Sequence, residues 1–391
     1  MLIIDLSATQ PTEAAKFHGG SEYAKAVFMK FIELGFLNFS AIYNEEYDLD
    51  KEIENVCIEK NISLISKKGK TSIINYINEV QPDVYYSALP YEQADINTKK
   101  TLFIMTIHGL REIECPSDSI ELSYALNLKS KIKVLIKNTF FPNWNRNKYK
   151  KKFSKLLDKK NIRIITVSDH TKYSLCSVFP FIKNSDIFVS PAPCPFGLDN
   201  ILKTDELKKI DLISKGFFLL VSGNRWLKNN FRALDALDQF YSKNSECKIK
   251  TIITGMSSVS IKLINKERFI FLDYLKKDSL DWLYANAYCF VYPSLNEGYG
   301  YPPVQAMYYG TPVLASSLSS IPEVCDNNVL YFDPKNVLEI ENRILRLYNE
   351  GELYNELASK GKLHANKIKN AQEQNLKRVV EYIYYSSLHN N

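Results

Sequence analysis

Four side chains in this sequence stand where strands give way to loops and could serve a ligand site, three of them basic or titratable and suited to an anion and one an acid at its edge. Glu297 is the only acid in the loop Ser294-Leu295-Asn296-Glu297-Gly298-Tyr299-Gly300. Arg225 and Lys228 share the turn Gly223-Asn224-Arg225-Trp226-Leu227-Lys228, just after the apolar run FFLLV. Two fixed cations at such a position can neutralise a diphosphate, and an arginine can grip it with two parallel hydrogen bonds. His108 closes the apolar run LFIMTIHG. Each residue also has an ordinary reading: a solvated loop acid, a pair of surface cations, a packed histidine. Glycine-bearing turns are weak signals on their own.

The elements around Glu297 sharpen the chemistry. AYCFVYP is a short apolar run that stops at Pro293, as a buried strand stops at a loop. Tyr301-Pro302-Pro303 then opens a helix through VQAMYY, because proline tolerates a first turn whose N–H groups have no partner. Gly310 ends that helix, and PVLAS is the next strand. In an open α/β sheet, strand–loop–helix–strand puts the loop at the carboxyl ends of the strands, where ligands bind. The helix start favours an anion. The same pattern opens the chain: LIIDL, a polar loop with His18, Gly19, Gly20 and Ser21, then the helix-patterned EYAKAVFMKFIELG. Gly19 and Gly20 would let backbone approach a ligand closely.

Further strand-like runs at FLNFSAIY, DVYYSA, IRIITV, IKTIITG and RFIFL alternate with helical or polar stretches. This alternation predicts parallel sheets with helices on both faces. At 391 residues the chain suits two domains. The composition shifts to Lys, Asp and Glu near 193–214, which places the boundary there. The expected division is 1–200, 201–370 and a closing helix over 371–391.

Hydrophobic content of 45% and charged content of 24% are those of a globular chain with ample core. The seven cysteines form no C-x-x-C pair and predict reduced thiols in a cytoplasm. No leader is expected ahead of LIIDL, and no apolar run is long enough to span a bilayer. The five histidines are scattered, so no metal site is expected.

PSLNEGYGYPPVQAM, followed by YGTPVLAS and SSIPEV, closely resembles the nucleotide-sugar site of family 4 glycosyltransferases, enzymes of the GT-B fold. GNRWLKNN matches the family's phosphate-clamping segment, and VSDHTK resembles its strand and cap near the end of the first domain. The resemblance implies two Rossmann-like, doubly wound α/β domains facing across a cleft, with a C-terminal helix returning to the first. It implies a retaining, metal-independent glycosyltransferase that needs no cofactor beyond its nucleotide-diphosphate sugar. Glu297 would hold sugar hydroxyls, His108 would contact the donor sugar, and Arg225 and Lys228 would take the phosphate charge. Gly19, Gly20, Gly223, Gly298, Tyr299, Gly300 and Tyr301 would line the donor, with Tyr274 beside the nucleobase. The family usually carries a second glutamate eight positions after the first, and there Gln305 stands in this chain.

The acceptor expected from the resemblance is a saccharide or lipid-linked saccharide of bacterial surface polysaccharide synthesis. Residues 127–163 are the most basic stretch, with lysines interleaved among Ile, Leu, Phe140, Phe141 and Trp144. A solvated helical face is the default for such a run. It also suits peripheral contact with an anionic membrane, which would place a cytoplasmic protein at the inner face of the cell membrane. No nucleic-acid motif accompanies it. Two other functions fit the motifs: a GT-B nucleotide-sugar epimerase, and a catalytically silent sugar-nucleotide-binding partner of another transferase.

Overall fold

Two wholly parallel sheets organise the chain in a computed structural model, which describes residues 1–11, 19–125, 127–141, 143–197 and 201–388. The first holds β1 (Leu2–Asp5), β2 (Ser40–Asn44), β3 (Ser63–Lys67), β4 (Val84–Ser87), β5 (Leu102–Ile107), β6 (Ile162–Thr166) and β7 (Ile187–Val189). Its order is β3-β2-β1-β4-β5-β6-β7. All of β1, β4 and β5 is buried, which is why these strands read as unbroken apolar runs. The second sheet holds β8 (Phe217–Leu220), β9 (Lys250–Thr254), β10 (Phe269–Leu272), β11 (Cys289–Tyr292), β12 (Val313–Ser316) and β13 (Leu330–Phe332), in the order β10-β9-β8-β11-β12-β13. Strand order reverses between β1 and β4 in one sheet and between β8 and β11 in the other. These reversals are the topological switch points at which such sheets bind ligands.

The chain divides into two compact units: Met1–Leu110, Asn147–Pro193 and Ala371–Asn391 in one, Arg111–Arg146 and Cys194–Asn370 in the other. The expected first domain of 1–200 is thus interrupted, because 111–146 packs with the second sheet. Tyr124 stacks on Phe231 with ring centroids 3.9 Å apart, and its hydroxyl accepts the Phe231 N–H. Arg232 pairs with Asp118 at 2.6 Å. Burial alone would raise the Asp118 carboxyl, but the Ile120 N–H and Arg232 hold it below its ordinary value. Both Phe231 and Arg232 sit on the helix Asn230–Lys243, which buries Leu234, Leu237 and Phe240 against Phe218 and Leu220 of β8.

The last helix, Gly351–Leu388, reaches the first unit with its final turns. Val379, Val380 and Ile383 are buried there, Tyr382 stacks on Phe188, and Lys30 pairs with Glu373. All seven cysteines are free thiols. No helix among the described residues is long and apolar enough to cross a membrane.

Candidate active site

The switch point of the second sheet is flanked by the loops after β8 and β11, and Arg225, Lys228 and Glu297 lie on those two loops. Asn229 ties them together. It takes a left-handed backbone (φ +56°), and its buried amide donates to the carbonyls of Pro293 (3.0 Å) and Pro334 (2.6 Å). Asn230 donates back to Val221 O at 2.8 Å, and the Leu295 N–H bonds Leu227 O at 2.8 Å. The two loops are therefore one hydrogen-bonded body.

Within it, Lys228 Nζ meets Glu297 Oε1 at 2.6 Å, both side chains about nine-tenths buried. The ammonium also donates to Tyr292 Oη at 2.9 Å and lies 5.0 Å from that ring's centroid. Ser294 Oγ donates to the same carboxylate oxygen. Burial would raise the Glu297 pKa, yet the field of Lys228, then that of Arg111, together with these hydrogen bonds, lowers it to about 2. Burial lowers the Lys228 pKa, and Glu297 opposes that shift. The loop backbone is held as well: the Glu297 N–H donates to Ser319 Oγ (2.9 Å), and Ser320 Oγ donates to the carbonyls of Glu297 (3.0 Å) and Tyr299 (2.9 Å).

Arg225 is exposed, and its guanidinium has no hydrogen-bond partner among the described residues. Glu297 neutralises Lys228, whereas the Arg225 charge has no such counter-charge beside it among the described residues. A Cβ at Gly223 would lie 2.5 Å from Met256 Sδ and 2.9 Å from Ile253, so a larger residue there would have to displace these side chains. Tyr274, 68% exposed, donates to Asn224 Oδ1 at 3.0 Å, which brings it to the same β8 loop.

Gly300 caps the helix Tyr301–Tyr308 at φ +98°, a backbone that other residues adopt only under strain. Pro302 and Pro303 carry no N–H, so the helix offers few backbone donors and its dipole and the nearby cations must carry more of any attraction for an anion. Gly298 and Tyr299 are buried, and Tyr299 packs edge-on against Tyr301. Gln305 is 9% exposed and donates its amide to Pro195 O at 3.3 Å. A glutamate could not make that bond, because a carboxylate only accepts.

Arg111 was not singled out by the sequence reading. It begins the short helix Arg111–Glu114, and Glu114 accepts a 2.7 Å hydrogen bond from Asn296, the neighbour of Glu297. That bond holds the helix against the β11 loop, so the Arg111 charge acts on both Glu297 and Lys228. Its signal was present only as an arginine three residues after His108.

His108, Gly19 and Gly20 belong to the first unit. The His108 ring bonds Ala88 O through Nε2 at 3.0 Å, which requires the Nε2–H tautomer, and it packs edge-on to Tyr23 at 4.9 Å. Tyr23 stands on the helix Gly19–Glu33. Gly19 and Gly20 are helical rather than part of a loop, at the first described residues of this helix. His18, expected beside them, lies outside the described residues.

With this geometry in view, comparison with known proteins is specific. Residues 203–364 match the family of glycosyl transferases group 1. The matched stretch contains the Lys228–Glu297 ion pair, Arg225 and Gln305. The chain is 30% identical over 195 residues to O-antigen chain mannosyltransferase B of Escherichia coli, covering 47% of this chain and 50% of that protein. It is 28% identical over 165 residues to O-antigen chain mannosyltransferase RfbU of Salmonella typhimurium, covering 39% and 46%. The matches therefore span about half the length of these curated relatives. HepE of Anabaena, solved with UDP and glucose, shares the fold at a TM-score of 0.63 and 14% identity over 97% of this chain and 98% of that one. The two-sheet α/β architecture is GT-B.

Proposed function

We propose that the protein is a retaining glycosyltransferase that moves a sugar from a nucleotide-diphosphate sugar to a saccharide or lipid-linked saccharide, in the synthesis of a bacterial surface polysaccharide. The observation that carries this reading is the Lys228–Glu297 pair at the switch point, with Arg225 and Arg111 beside it. A departing nucleoside diphosphate gains negative charge in the transition state, and preorganised cations stabilise that charge without reorganising. Arg225, Arg111 and the helix dipole at Gly300 supply this, and the reading needs no metal. Glu297, ionised and fixed by Lys228 and Ser294, is an acceptor for sugar hydroxyls. The names of the O-antigen mannosyltransferase relatives support the transfer and its polysaccharide setting, and the UDP and glucose held by HepE support the donor class.

His108 enters through its motif. His108→Asn would report whether turnover needs the imidazole. The decisive assay is transfer from a panel of nucleotide sugars to saccharide and lipid-linked primers, with the product's anomeric centre read by NMR. A product with the donor's configuration supports the reading. Epimerisation without acceptor, or donor binding with no transfer to any primer, would overturn it in favour of an epimerase or a silent sugar-nucleotide-binding partner.

A further inference from the structure

The helix Leu128–Phe140 is oriented the opposite way from a helix that folds in water. At 3.6 residues per turn, Leu128, Ile132, Leu135, Ile136 and Phe140 form one stripe. A water-soluble fold turns such a stripe inward. Here it faces out: Leu128 is 73% exposed, Ile132 47%, Leu135 55%, Ile136 44% and Phe140 72%. The stripe continues into Phe141 and Trp144, both more than half exposed. The polar face points inward. Lys137 pairs with Glu121 at 2.5 Å, and Asn138 donates to Asp118 O at 3.3 Å. Asp118 is itself anchored by Arg232. The helix buries none of its residues.

This inversion is built in rather than left by a loose end. An Asn127–Ser130 capping box starts the helix, and the Lys137 and Asn138 contacts fix its rotation. Lys129, Lys131 and Lys133 are all exposed. The helical spacing places Lys129 and Lys133 along one edge of the apolar stripe and Lys131 along the other. An occupant must therefore be apolar in its interior and negatively charged at its surface.

We propose that the helix Leu128–Phe140, together with Phe141 and Trp144, inserts in the plane of an anionic lipid bilayer. The apolar stripe enters the acyl boundary and the flanking lysines lie among the headgroups. The inference deepens the reading above, on which it rests for one point only: a lipid-linked acceptor would be met at that surface. No helix among the described residues can cross the membrane, so attachment through this segment is peripheral and reversible.

The test is flotation of the full chain with vesicles of phosphatidylcholine alone or mixed with phosphatidylglycerol. The wild-type chain is expected to float with the anionic vesicles and to shift its tryptophan emission to the blue, and Trp144→Phe is expected to lose that shift. The double variant Ile132→Glu/Ile136→Glu is expected to stay at the bottom of the gradient. Replacing Lys129, Lys131 and Lys133 by Gln is expected to weaken binding to anionic vesicles roughly fivefold for each lysine. The thermal shift given by a sugar nucleotide should be the same for all these variants, which certifies their folding and separates this proposal from the donor site. The proposal is overturned if the wild-type chain does not float, or if the double glutamate variant floats equally well. It is also overturned if these substitutions convert a solution dimer to a monomer without changing vesicle binding.

Discussion

Lys228 and Glu297, 69 residues apart in the chain, form a buried ion pair at 2.6 Å across the loops that follow β8 and β11. The pair gives the site its logic. Glu297 neutralises the lysine's charge and is held ionised, so in the proposed reading Arg225 and Arg111 carry the charge a diphosphate would meet. Removing either partner leaves a buried charge without its counterpart, typically at a cost of about 3–5 kcal/mol. Lys228→Met should therefore lower the stability of the second unit by an amount of this order. Glu297→Gln in the same chain should restore part of it. Urea unfolding of the two single variants and the double variant measures the coupling, and strictly additive losses would refute it.

The same pair predicts an acid dependence. The Glu297 pKa is depressed on folding, from 4.5 to about 2. Its contribution to stability is thus complete above pH 4.5 and is lost as the pH falls toward 2. Glu297→Gln should make the pH dependence of unfolding shallower in that window and leave it unchanged at neutral pH. Equal slopes for wild type and variant would show that the carboxylate is not held as described.

Arg111 should matter to the diphosphate and little to the fold. Arg111→Gln is expected to weaken nucleoside diphosphate binding by roughly one to two orders of magnitude, as loss of a charged hydrogen bond does. Nucleoside monophosphate binding should change less, and Arg111→Lys should recover part of the loss. Titration calorimetry with both ligands checks this, and an equal effect on the two would place Arg111 elsewhere.

Gln305 presents its amide to the Pro195 carbonyl, so a glutamate would set two acceptors against each other. Gln305→Glu is expected to lower thermal stability, consistent with a lost hydrogen bond of about 0.5–1.5 kcal/mol plus the burial of a charge. Unchanged stability together with tighter donor binding would mean that the side chain turns to the ligand as the family's glutamate does.

Much of the second sheet and its loops was legible because strand, glycine turn and helix follow one another in sequence. The site's less legible parts depend on distant segments. Arg111 acts on Glu297 from a segment that the Glu114–Asn296 bond holds against the β11 loop, and 111–146 joins the second unit through contacts far apart in sequence, among them the Tyr124–Phe231 stack, the Asp118 pairs and the Ser260–Ser123 bond. β3 went unremarked because SLISK is a partly exposed edge strand with no apolar run. The rotation of Leu128–Phe140 could not be read from its periodicity, which shows that a stripe exists and not which way it faces.

The central claim is that the β8 and β11 loops bind a sugar nucleotide through its diphosphate. The most direct test is calorimetric titration of the wild-type chain and of Arg225→Ala with a panel of nucleotide-diphosphate sugars. Arg225 is exposed and unpaired, so its loss should leave the fold intact. The account predicts binding of at least one donor by the wild-type chain and at least tenfold weaker binding by Arg225→Ala at unchanged melting temperature, in line with the ~1.5–3 kcal/mol of a charged hydrogen bond. Equal affinity for the two proteins would contradict it.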